Sequence, residues 1–96
     1  MENKELYRQK LQAQLDEWSA ELDVIRAKAA KAGAEKKIEL NKQIEDLEAR
    51  LASGKAKVGE LAEATDDAWD SVKEGVDTAW ESLRSAFSDA ASRFKN

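Results

Sequence analysis

Between residues 11 and 32 the apolar positions step by three and four: Leu11, Leu15, Trp18, Leu22, Ile25, Ala29 and Ala32, with charged and amide side chains between them. That spacing keeps to one face of a helix. Its seven-residue period puts Leu15, Leu22 and Ala29 at one core position and Leu11, Trp18, Ile25 and Ala32 at the other. Carried forward, the same count would bury Lys36, Glu39, Gln43 and Asp46, so the stripe stops near Gly33. It restarts one residue out of step as Leu40, Ile44, Leu47, Leu51, Gly54, Val58 and Leu61. A third stripe runs through Trp69, Val72, Val76, Trp80, Leu83, Phe87, Ala91 and Phe94.

The break at Gly33 is either a turn or a phase slip in one long helix. In an antiparallel pair, each core residue of one helix layers with the complementary position of the other. Leu22 with Leu47, Ile25 with Ile44, Trp18 with Leu51, Leu15 with Gly54, Ala29 with Leu40 and Leu11 with Val58 satisfy this together, which places a fold point between Ala34 and Glu35. Gly33 is next to it, suited to end a helix in the left-handed conformation. Gly54 leaves room for a bulky neighbour, for which Trp18 is the candidate, and Leu6 and Tyr7 are expected to cover the second helix near Leu61. At Ala64-Thr65-Asp66-Asp67, the Thr65 hydroxyl is placed to cap a following helix, with two acids against its positive end. The expectation is an all-α single domain: an antiparallel coiled-coil hairpin, helices 3–32 and 36–63, with a third amphipathic helix, 66–94, packed along it. Each would be about 43 Å long at 1.5 Å per residue. The alternative is a long continuous coiled coil with a C-terminal helix.

Residues 67–73 return eleven positions later as residues 78–84, each copy with a tryptophan. Eleven residues make three turns at 3.67 per turn, so Trp69, Trp80 and Ala91 share a face with little drift. Lys73, Arg84 and Lys95 form a parallel cationic line, and Asp70, Asp77 and Glu81 lie on the remaining polar surface. Such a straight stripe suits packing on other helices, or lying on lipid with aromatics at the interface. Trp69 and Trp80 accordingly either fill the groove of the hairpin or anchor a partner.

The run Asp67-Ala68-Trp69, Lys73-x-Gly75, Ala79-Trp80-x-x-Leu83, Ala86-Phe87 and Ser92-Arg93-Phe94, behind a heptad stretch, resembles a group of small bacterial coiled-coil proteins. That resemblance covers most of the chain. The group has no established activity, so it implies a helical fold and no chemistry. The eleven-residue period is also similar, in a generic way, to exchangeable apolipoproteins, although only two clear copies and a partial third occur and no proline separates them.

Composition narrows the function. The 96 residues include no Pro, no Cys and no His, and 38% are charged. That mixture favours long helices over sheet. Net charge is −4 and no basic face of the size that tracks a phosphate backbone appears, so nucleic acid is not an expected partner. Without His or Cys the usual general base, the most nucleophilic side chain and the best zinc ligands are missing. Ser71, Ser82, Ser85, Ser88 and Ser92 have no basic partner, the acidic pairs Glu45-Asp46 and Asp66-Asp67 lack the spacing of a calcium loop, and no glycine-rich phosphate loop occurs. No enzyme, cofactor or metal is expected. Nor is there a secretion signal at the start or a stretch of ~20 apolar residues for a membrane span, so a cytoplasmic location is the default. The expected function is a non-catalytic helical interaction or scaffold protein, binding a helical partner or itself as a homo-oligomer. Its working face would be Trp69, Val72, Val76, Trp80, Leu83, Phe87 and Phe94. A peripheral lipid- or granule-surface protein is the alternative.

Overall fold

A computed structural model describes residues 4–93 of the chain. It is a three-helix bundle: α1 Lys4–Ala30, α2 Ala34–Glu63 and α3 Asp66–Arg93. The molecule is a rod of 51 × 18 × 18 Å, one helix length long. With two short links, α2 runs antiparallel to both neighbours, and α1 and α3 point the same way. The backbone of α2 lies close to both α1 and α3. The helix ends expected at residues 3 and 94, and the positions expected for Phe94 and Lys95, fall outside the described residues.

The chain turns at Lys31–Gly33, so the two helices do not form one unbroken rod. The apex lies earlier than the expected point between Ala34 and Glu35, because Ala34, Glu35, Lys36 and Lys37 are good helix formers and already belong to α2. Gly33 is not the left-handed cap of α1. It is the residue before α2, in extended conformation at φ −64° and ψ 160°. Instead, α1 ends by tightening its last turn, with the amide of Lys31 donating to the Lys28 carbonyl at 3.2 Å and that of Ala32 to the Ala29 carbonyl at 3.1 Å. The second link is Ala64-Thr65. There the Thr65 hydroxyl accepts from the amide of Ala68 at 3.3 Å, and Asp66 and Asp67 occupy the first turn of α3.

Burial follows the stripes. Leu11, Leu15, Trp18, Leu22, Ile25 and Ala29 of α1 are buried, as are Ile44, Leu47, Leu51, Gly54, Val58 and Leu61 of α2. Leu40 is only half-buried. It packs against the edge of the buried cluster. In α3 the buried set is Trp69, Val76, Trp80, Leu83, Phe87 and Ala90, with Val72 half-buried. Ala91, the eleven-residue equivalent of Trp69 and Trp80, is exposed, and Ala90 is buried in its place. Positions 69, 76, 83 and 90 recur at seven, so α3 bends its seam around α2 rather than presenting a straight one.

Gly54 is the point of closest approach. A Cβ placed there would lie 2.8 Å from Leu83 Cδ1, 3.3 Å from Leu15 Cδ2 and 3.5 Å from Trp80 Cζ3. The Leu15–Gly54 layer of the expected hairpin is therefore present. The space left by the missing side chain, however, is taken by Leu83 and Trp80 of α3, not by Trp18. Gly59 and Gly75, by contrast, face open space. This gives a paired expectation. Gly59→Ala and Gly75→Ala should each stabilise the fold by about 0.5–1 kcal/mol, the helix propensity difference. Gly54→Ala should lose that gain to overpacking against Leu83, which costs about 1–3 kcal/mol. Urea denaturation of the three variants would show the contrast in sign.

Candidate functional site

No group of three or more His, Cys, Asp or Glu among the described residues is placed to hold a metal ion. The feature that distinguishes this bundle is an aromatic seam between the two parallel helices. Both α1 and α3 pack closely on α2, and the space between them is closed by large side chains. Trp18 of α1 stacks on Phe87 of α3, with centroids 5.6 Å apart and planes 11° apart. It also meets Trp80 at 5.6 Å and 49°. Near the other end Tyr7 meets Trp69 edge-on at 5.9 Å and 69°. Such pairs contribute about 0.5–1.5 kcal/mol each beyond the area they bury.

Polar groups fasten the same seam. The Tyr7 hydroxyl donates to Asp77 Oδ1 at 2.7 Å. The Lys4 ammonium pairs with Asp66 and stands 5.0 Å from the Trp69 ring, and that of Lys73 stands 5.1 Å from the Tyr7 ring. Tyr7 thus packs on Trp69 of α3, and Leu6 is 61% exposed. On the other faces, Arg26 bridges Asp23 on its own helix and Glu48 on α2. Arg50 pairs with Asp46 at 2.8 Å and donates to the Ser82 hydroxyl of α3 at 2.7 Å. Ser82 is therefore a tie between helices, a role its sequence context did not signal.

All three tryptophans are buried: Trp18 is 5% exposed, Trp69 7% and Trp80 5%. Of the two readings open for Trp69 and Trp80, the structure selects the groove of the hairpin. Val76, Leu83 and Phe87 are interior as well. The Trp69 and Trp80 indole N–H groups are buried without a hydrogen-bond acceptor. An unpaired buried donor costs about 1–3 kcal/mol. The surface grooves are shallow. The one between α1 and α3 encloses about 460 Å³, and Lys10, Gln14, Asp77, Glu81 and Arg84 rim it, mixing both signs of charge. Compared with protein-family models, curated proteins and solved structures, the chain matches none.

Among the described residues two carboxyls are shifted, and both are exposed. A hydrogen bond from Arg8 holds Glu5 below the usual carboxylate range, and one from Lys4 does the same for Asp66. A lowered carboxyl supports the fold above its unfolded pKa, and that support fades as pH falls through the folded value. At such exposed sites the support is small and screened. The buried residues include no charged or polar side chain. Thermal melting followed by circular dichroism should therefore be level between about pH 6 and 9 and decline only in acid, below about pH 4. A marked change between pH 6 and 8 would contradict this interior.

A double-mutant cycle tests the seam itself. Trp18→Leu and Trp80→Leu should be coupled by about 0.5–1.5 kcal/mol in unfolding free energy. Trp18→Leu with Trp69→Leu, about 16 Å apart along the bundle at 1.5 Å per residue, should be additive.

Proposed function

We propose that the chain is a non-catalytic helical interaction or scaffold protein of the cytoplasm that associates with itself or with a helical partner, akin to the small coiled-coil proteins its sequence resembles. The observation that carries this reading is that helix packing takes up all three tryptophans and most of the large apolar side chains. Every buried side chain is a packing residue, and the chain has neither His nor Cys. The means of association differs from the simplest expectation. Trp69, Trp80, Leu83 and Phe87 face the interior of the chain's own bundle, so a partner reaches them only where a helix leaves it. None of the described helices is long and apolar enough to cross a membrane.

A second reading, a peripheral lipid- or granule-surface protein, draws support from the unpaired indole N–H groups of Trp69 and Trp80. A tryptophan at a lipid–water interface keeps its ring in the apolar layer and its N–H in contact with acceptors. The acidic polar face of α3 favours a zwitterionic surface over an anionic one. Flotation with phosphatidylcholine vesicles separates the readings. Under the protein-interaction reading the intact chain stays at the bottom of the gradient, and the concentration dependence of its mass in ultracentrifugation reports the association. Flotation of the intact chain, lost on removing residues 66–96, would support the lipid reading.

A further inference from the structure

Among the described residues most of the three stripes is buried, and the large apolar side chains left exposed are Leu6, Val24 and Ile38. Two closed bundles have little apolar surface to bury against each other. The surface on which a second copy fits best is the core itself, and the turn between α1 and α2 is where the chain is built to open. Three residues, Lys31-Ala32-Gly33, make that turn. Gly33 precedes α2 with no side-chain hydrogen bond capping the helix. Around it stand Ala30, Ala34, Glu35, Lys36 and Lys37, all strong helix formers. Straightening the turn would replace the short-range bonds that the Lys28 and Ala29 carbonyls now accept with regular helical bonds, and would give the first amides of α2 helical acceptors.

The register across the turn also allows it. Trp18, Ala29, Leu40 and Leu51 stand eleven residues apart in succession. At 3.6 residues per turn that interval returns to the same face within about 20°, so an unbroken helix keeps the two seams in line. The one-residue phase slip that marks the turn in sequence is thus compatible with a continuous helix.

We propose that two copies of this chain pair by exchanging α1. In the pair, residues 31–33 become helical and α1 and α2 form one helix of about 90 Å at 1.5 Å per residue. The α1 of each copy then lies on α2 and α3 of the other, and Trp18 stacks on the partner subunit's Phe87 and on the partner subunit's Trp80. The Ala64-Thr65 link is unchanged. Every core contact of α1 is rebuilt between chains while α2 and α3 keep theirs within one chain, so the exchange requires no new interface. This inference rests on the self-association reading and names its partner and its hinge.

Two substitutions at exposed hinge positions act in opposite directions. A Cβ at Gly33 meets nothing within 4 Å. Gly33→Ala removes the one poor helix former from the straightened form and should raise the dimerisation constant about 25-fold, a factor of about five per hinge. Ala34→Pro does the reverse. Proline is well tolerated at the first position of a helix, and Gly33 already has the extended backbone required before it. Inside a continuous helix the same proline would remove a backbone hydrogen bond and strike the carbonyl four residues earlier.

The experiment combines light scattering over a concentration series, after refolding from urea, with a spin-label distance. Because the chain has no cysteine, Gln12→Cys and Ala56→Cys provide two unique attachment points at exposed positions. The doubly labelled chain is measured in excess unlabelled chain, so that only distances within one chain are read. Exchange predicts a dimer whose intrachain distance is about 66 Å, enriched in Gly33→Ala and abolished in Ala34→Pro. A dimer with an intrachain distance within about 20 Å, unaffected by Ala34→Pro, overturns the exchange and leaves self-association standing. A monomer at every concentration, in wild type and Gly33→Ala alike, overturns both.

Discussion

The bundle depends on closing the space between two parallel helices that both lean on a third. Since α2 carries Gly54 where α1 and α3 converge, Leu15, Leu83 and Trp80 crowd against its bare backbone. The remaining width between α1 and α3 is filled by Trp18 stacked on Phe87 and tilted on Trp80, and by Tyr7 against Trp69. Three indoles and two further rings in so thin a rod are what allow a domain of this length to bury a continuous core.

The same arrangement determines where function can reside. Aromatic side chains that would suit a binding face are held inside, and the outer surface is a mosaic of both charges, including Arg26 with Glu48 and Arg50 with Asp46. Chemistry is thereby moved from surfaces to segments. Under the proposed reading, what this chain offers a partner is a helix released from its neighbours. The two links between helices are where such release would begin, and they differ. The Ala64-Thr65 link is capped by the Thr65 hydroxyl, whereas the Lys31–Gly33 turn has no side-chain cap.

Much of this was legible in the sequence. The seven-residue period of α1 and α2 located their buried residues, and the phase slip at Gly33 marked the turn. Thr65 with Asp66 and Asp67 marked the start of α3 because capping is a local interaction. What failed was whatever depended on the third dimension. Ala90 and Ala91 are indistinguishable as apolar positions, and only the path of α3 around α2 decides that the former is buried. The gap at Gly54 could be foreseen, but its occupant could not, since a vacancy on α2 is open to either neighbour. Ser82 looked like a solvated position until the reach of Arg50 across α2 and α3 was in view. The left-handed cap expected at Gly33 failed because the tightened last turn of α1 satisfied its carbonyls without it.

Collisional quenching of tryptophan fluorescence addresses the aromatic seam most directly, and exchange of α1 between copies would not alter its outcome. With Trp18, Trp69 and Trp80 each no more than 7% exposed, native protein should emit at short wavelength and be strongly shielded from acrylamide. That shielding should vanish in a single step on unfolding in urea. Native indoles as accessible as those of the unfolded chain would contradict the seam and the bundle built around it.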